Sequence, residues 1–209
     1  MITEDSPPEP GTAERIRDSA ATLFRRRGFN GASMQAVASA VGITKSSLYH
    51  HYPSKQALLA EIIEVTMSRV TPLVREIVGA DLSATERLHR ALTLHTIESI
   101  RERDYVACFS EESRYLSPAF MQAHRRKKAE YESLFQDVIE AGIESGEFLT
   151  QDPVLATMAL VGMCDSVIRR YQPSADRTPD QIATIFADIA LGGLGVPASA
   201  GARAGEAAL

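Results

Sequence analysis

The 209-residue sequence predicts an all-α protein, with a three-helix helix-turn-helix head at 12–56 and a helical-bundle body at 57–195. Three observations predict it. Apolar residues recur at helical spacing along nearly the whole chain, with no alternating strand pattern and no internal repeat. Gly28, Pro118, Gly146, Pro153 and Pro173 fall at the ends of these periodic stretches. Between Ser33 and Tyr52 the chain reads SMQAVASAVGITKSSLYHHY, two short helical patterns interrupted by Val-Gly-Ile.

The first helix is expected from Thr12 to Arg27, with Ala13, Ile16, Ala20, Leu23 and Phe24 as its apolar stripe and Gly28 as its C-cap. Residues 1–11 and 196–209 are small, polar or proline-bearing and are expected to be disordered. In the interrupted segment Gly42 can take a positive φ, so two helices can meet steeply over a seam of Ala38, Val41, Ile43 and Leu48. Ser33 and Thr44 stand where N-caps are needed for the two helices. Lys45, Ser46, Tyr49 and His50 then face outward on the second helix, flanked by Ser47 and His51.

Those side chains are donors sized for a DNA groove. The helix N-terminus and Lys45 supply positive potential near bases and phosphates, and Tyr49, His50 and His51 can donate to phosphate oxygens one turn later. Pro53 stops the helix, Ser54 caps the next, and Lys55 in its first turn is expected to grip another phosphate. The candidate DNA-binding set is therefore Ser33, Thr44, Lys45, Ser46, Ser47, Tyr49, His50, His51 and Lys55. The alternative is an ordinary helical hairpin with a solvated polar face.

Charge distribution supports DNA binding although the formal net charge is −5. Residues 12–55 carry a net +5 and the rest of the chain −10. A basic head on an acidic body orients the molecule on a polyanion. Arg25, Arg26 and Arg27 can touch phosphate directly or form a solvated helix end.

The fourth helix is expected from Lys55 to Val78, linking head to body, with Pro72 producing a kink that either acts as a hinge or only shapes the helix. Further helices are expected near 84–101, 105–116, 118–145, 153–171 and 179–194. Pro118 and Pro153 stand at helix starts, where a missing amide costs nothing. In the penultimate helix Leu160, Cys164, Val167, Ile168 and Tyr171 make one apolar face and Leu155, Met158, Ala159 and Gly162 another. One helix cannot bury both in a thin monomer. With Ile182, Ile185, Phe186 and Ile189 of the last helix, the second face predicts a four-helix dimer seam.

Helix bundles of this size keep cavities between helices, and His95, Phe109, Arg114 and Met163 are the candidate effector-lining residues, as polar or soft groups on apolar faces. Arg125, Arg126, Lys127 and Lys128 can meet the phosphates of a coenzyme-A-type effector or form a solvated face. Glu111 and Glu112, next to Arg114, read as a surface ion pair. Cys108 and Cys164 lack metal-ligand spacing and read as buried structural thiols. No nucleophile elbow, phosphate loop or HExxH appears, so no catalytic residue, cofactor or metal is implied. The start MITEDSPPEPG has no apolar core and no run is long enough to cross a bilayer, so no signal peptide or membrane association is expected and the localisation is cytoplasmic.

The segment LFRRRGFNGAS followed by MQAVASAVGITKSSLYHHYPSKQALL resembles the head of the TetR family of bacterial transcriptional regulators almost position by position. The C-terminal stretch from GIESGEF to ALGGL also looks like the subgroup that regulates lipid, fatty-acid and steroid breakdown, some of whose members respond to acyl-CoA thioesters. Where that subgroup usually has tryptophan before a Tyr-x-Pro, this chain has Arg170 before Tyr171, Gln172 and Pro173. The resemblance implies a homodimer on a palindromic operator, most simply a repressor released by a small hydrophobic or acyl-CoA-type effector. The competing functions are an effector-independent architectural DNA-binding protein and an enzyme using the body cavity.

Overall fold

Hydroxyl and carboxylate caps start helices where the sequence places them. The computed structural model describes residues 11–167 and 177–195, the side chains of Ala107, Phe109 and Ser110 excepted. The expectations for residues 1–10 and 196–209, and for the penultimate helix beyond Val167 with Ile168 and Tyr171, lie outside the described residues. The elements are α1 Thr12–Gly31, α2 Met34–Val41, α3 Lys45–His51, α4 Lys55–Val78, α5 Ala84–Arg101, α6 Arg103–Glu112, a 3₁₀ turn Ser113–Tyr115, α7 Pro118–Glu144, α8 Pro153–Asp165 and α9 Pro179–Gly193. No strand occurs among the described residues.

Boundaries differ from expectation at α6, which ends at Glu112 and gives way to the 3₁₀ turn instead of running on to 116, and at α1. The chain breaks helical geometry at Gly28, with φ +70° and ψ 162°, but resumes a final turn to Gly31 that is closed by the Ala32 amide donating to the Gly28 carbonyl at 3.2 Å. Gly28 is thus a break within α1 instead of its end. Its positive φ is what glycine tolerates without a Cβ clash.

The chain forms two compact units, residues 1–65 with 104–121 and residues 66–103 with 122–209. The head at 12–56 falls inside the first unit, which reaches further than that segment because α6 is built into its core. Tyr105 and Cys108 are buried with Ile16, Phe24, Val37, Leu48, Leu58 and Ile62. Polar contacts fasten the same helix: Thr22 donates to Asp104 at 2.9 Å, and Tyr105 donates to Asp18 at 2.5 Å. Burying one large apolar side chain contributes about 1.5–3 kcal/mol, so the α6 residues are a substantial part of a small core. Packing, not contiguity in sequence, defines this unit.

In the second unit Val74, Leu88, Leu92, Phe135, Ile139, Leu160 and Cys164 form the core. Ser83 and Glu86 make a capping box at the start of α5, and Thr178 and Gln181 another at the start of α9. Small residues Ala183, Ala187 and Ala190, all buried, let α9 pack along α5. α4 continues through Pro72, and the neighbouring Thr71 hydroxyl donates to the Met67 carbonyl at 2.7 Å.

Candidate nucleic-acid interface

Two caps and one glycine build the reading helix. Ser33 Oγ accepts the Ala36 amide at 3.1 Å to start α2, and Thr44 Oγ1 accepts the Ser47 amide at 3.1 Å to start α3. Between them Gly42 takes φ +77°, and its amide and that of Ile43 donate back to Ser39 and Ala38. Ala38, Val41 and Leu48 are buried in the seam, with Ile43 partly so, as the pattern predicts. From α1, Arg15 Nη2 donates to the Val41 carbonyl at 2.8 Å and closes the last turn of α2.

The face left outside by this scaffold is the predicted one. Lys45, Ser46, Tyr49, His50 and His51 are exposed and Ser47 is half-buried; Tyr49, a large aromatic residue, is 43% exposed. The Lys45 ammonium stands 5.8 Å from the Tyr49 ring centre, and the His50 and His51 rings meet edge-on at 6.2 Å. A cation, a phenol, two imidazoles and a serine on two turns can donate to phosphates and to base-edge acceptors.

Lys55 has a role inside the unit that the phosphate-gripping expectation did not include. Its ammonium donates to the carbonyls of Phe29 at 2.6 Å and Ala32 at 2.9 Å and sits 4.3 Å from the Phe29 ring centre, so two of its three donors close the end of α1. Carbonyls at a helix end compete with a phosphate for the same donors. Arg25 is likewise paired, with Asp104 at 2.6 Å. Arg17 lies 3.6 Å from Glu61 and its pKa is raised, burial opposing the shift while Tyr52, Tyr105 and Glu61 favour the cation. Among the described residues of this unit, Arg15, Arg26, Arg27 and Lys45 stand exposed without an acidic partner, Arg15 being engaged by the Val41 carbonyl.

Of the effector candidates, His95 and Met163 belong to the second unit and Arg114 to the first. His95 is buried in the second unit, its Nδ1 2.8 Å from the Tyr131 hydroxyl and its Nε2 3.2 Å from Asp165 Oδ1. Burial, helped by the Asp165 charge, pushes the Tyr131 phenol pKa up, so it stays a neutral hydroxyl beside Nδ1. Met163 packs half-buried against the same core. Arg114 is 71% exposed and lies over the Tyr115 ring at 5.1 Å. The Phe109 side chain is outside the described set. Glu112 corrects the surface-ion-pair expectation: it is 3% exposed and accepts the Phe29 amide at 2.9 Å, with Arg114 3.9 Å away. Its partner lies 83 positions upstream, a relation no local pattern displays.

On the second unit, Leu155, Met158, Ala159 and Gly162 of α8 and Ile185 and Ile189 of α9 are exposed, with Ile182 and Phe186 half-buried. A Cβ on Gly162 would meet nothing within 4 Å. Cys108 and Cys164 are free and buried, and burial raises their thiols to about 12 and about 11. Among the described residues no group of three His, Cys, Asp or Glu could hold a metal, and no helix is long and apolar enough to cross a membrane.

An all-helical chain that presents a capped, polar and basic second helix from a tight helix-turn-helix is a DNA-binding transcriptional regulator. Residues 16–62 match the family described as bacterial regulatory proteins, tetR family, and residues 81–194 match the tetracyclin repressor-like C-terminal domain. The chain belongs to the TetR family. It is 30% identical over 197 residues to the HTH-type transcriptional repressor KstR2 of Rhodococcus jostii, covering 93% of this chain and 96% of that protein. Its fold matches that of a tetR-family regulatory protein from Rhodococcus RHA1 with TM-score 0.81 at 25% identity, covering 90% and 99% of the two chains. It also matches AibR in complex with isovaleryl coenzyme A and operator DNA, with TM-score 0.75 at 25% identity over 88% and 98%.

Proposed function

We propose that this protein is a homodimeric repressor, acting in the cytoplasm on a palindromic operator and released by an acyl-CoA thioester or a related lipid-derived ligand. The observation that carries the DNA half of this reading is the exposed Lys45, Ser46, Tyr49, His50 and His51 surface on a helix opened by the Thr44 cap. Two such helices related by a twofold axis read half-sites about 34–36 Å apart in successive major grooves. The exposed apolar strip on α8 and α9 supports the dimer. The ligand class rests on likeness to AibR, which was crystallised with isovaleryl coenzyme A, and to a KstR2 repressor.

The mechanism is a population shift. Ligand that favours a head separation unsuited to the operator lowers DNA affinity by its differential affinity for the two states, about 1–3 kcal/mol in typical couplings. Action by binding is supported by the match to a family of transcriptional regulators and by likeness to a KstR2 repressor. The test is a gel shift with the DNA upstream of the protein's own coding sequence, titrated with acyl-CoAs of increasing chain length. Retarded DNA released by one chain-length class is expected; retardation unaffected by every thioester would sink the ligand assignment.

A further inference from the structure

We propose that Glu112, at the end of α6, is a positioning residue for sequence-specific DNA recognition, acting through the Phe29 amide on the entry to α2. This rests on the DNA-binding reading of α3. The Phe29 peptide is held from two sides by opposite charges: its N–H donates to Glu112 Oε1 at 2.9 Å, and its carbonyl accepts from Lys55 Nζ at 2.6 Å. The same ammonium takes the Ala32 carbonyl at 2.9 Å, one residue before the Ser33 cap. A stack reinforces the grip, with the Phe29 and Tyr115 rings 4.7 Å apart and nearly parallel, Lys55 over the Phe29 ring and Arg114 over Tyr115. Asn30 also donates to the Tyr115 hydroxyl at 2.8 Å.

Residues 29–32 are thus clamped between α4 and the α6 end, and α2, which starts two residues later, is rigidly coupled to α3. α2 is only two turns long, and the Gly42 and Ile43 amides tie its last carbonyls to the turn that leads into α3, where Leu48 packs in the same seam as Ala38 and Val41. A shift at Phe29 therefore carries into the reading helix. Base-edge hydrogen bonds depend on placement within about 0.5 Å, whereas long cations can track a phosphate through a larger displacement.

The chemistry of Glu112 suits positioning better than stability. It is 3% exposed, yet its Oε2 has no hydrogen-bond partner among the described residues and only Arg114 at 3.9 Å. A buried carboxylate satisfied on one side is a costly way to hold two helices together.

The test compares full-length wild type, Glu112→Leu and Glu112→Gln on two labelled duplexes: an operator selected by the wild-type protein from a random library, and a scrambled duplex of equal length. Glu112→Leu is expected to lose at least tenfold in the ratio of operator to scrambled affinity, while scrambled binding stays within threefold. Glu112→Gln, whose amide oxygen still accepts from Phe29, restores the ratio to within threefold. A merely structural role would leave the ratio of the folded protein unchanged, and that result overturns the proposal. Should Glu112→Leu fail to fold, Glu112→Asp, one methylene short of the Phe29 amide, decides: a reduced ratio supports positioning and a wild-type ratio refutes it. Wild-type protein that selects no operator at all would instead overturn the DNA-binding reading.

Discussion

The ring of Phe148 occupies the space a side chain on Gly142 would need: a Cβ there would come within 2.1 Å of Phe148 Cδ2 and 2.2 Å of Cε2. Phe148 is buried, and its amide donates to the Gly142 carbonyl at 3.0 Å, so the ring cannot swing away without reopening the end of α7. Alanine at a helical glycine ordinarily gains about 1 kcal/mol. Here overpacking wins, and Gly142→Ala is expected to lower stability by about 1–3 kcal/mol. A urea midpoint equal to or above that of the wild type would contradict it.

Lys45→Ala and Tyr49→Ala address the reading helix. Each is expected to weaken operator binding by about 1–3 kcal/mol if it removes a good base or charge-assisted contact. Lys45→Ala should also reduce the slope of log affinity against log salt by about 1 for each phosphate that Lys45 neutralises. Both side chains are exposed, so thermal stability should move by less than about 0.5 kcal/mol. Unaltered affinity and salt slope in both variants would remove α3 from the interface.

The helical framework was legible because its punctuation is local. Ser33, Gly42, Thr44, Pro118, Pro153 and Pro179 act within one turn of themselves, and each stands at the element end its chemistry suits. The exposed face of α3 was legible for the same reason: a seven-residue helix has one seam, and Leu48 marks it. Glu112 was misread, and the carbonyl partners of Lys55 were not legible, because the contacts at Phe29 and Ala32 lie 83 and 23 to 26 positions away, while a glutamate among charged neighbours reads as solvated. The turn that carries Arg114 packs against the α1 core through Tyr115 and Leu116, which periodicity alone does not reveal.

Both thiols should be inert in the native protein. Cys108 and Cys164 are fully buried, and burial raises them to about 12 and about 11, leaving little thiolate at about pH 8. A chromogenic disulfide reagent is expected to label neither until denaturant is added, and then to label two per chain. Rapid stoichiometric labelling under native conditions would show that one of these core positions opens readily.

Met158 and Ile189 test the dimer. Met158 is 65% exposed and Ile189 57%, on helices whose other faces are already committed to the core. Met158→Lys with Ile189→Lys is expected to shift the sedimenting species toward the monomer with little change in helix content. Operator affinity should fall by at least tenfold, because one head no longer raises the effective concentration of the other. A double variant that sediments as the wild type does would move the interface elsewhere.

Glu147 gives stability a defined pH dependence. Its carboxylate accepts the amides of Ala84 at 3.1 Å and Thr85 at 2.9 Å, the free donors at the start of α5, and a hydroxyl from Ser145 at 3.1 Å. Burial works against the charged form, but the amide and hydroxyl donors outweigh it and hold the pKa below the usual carboxylate value. A carboxylate with a depressed folded-state pKa contributes fully above its unfolded value of about 4.3, and the contribution disappears as pH falls through the folded-state value. Because the group is largely solvated, screening limits the effect, and the loss of a helix cap, about 1 kcal/mol, sets its scale. Glu147→Ala is therefore expected to be less stable than wild type by about that amount near neutral pH, with the gap closing as the pH is lowered below about 4. A difference in urea midpoints that stays constant from about pH 7 to about pH 3 would show that the cap does not depend on the carboxylate charge.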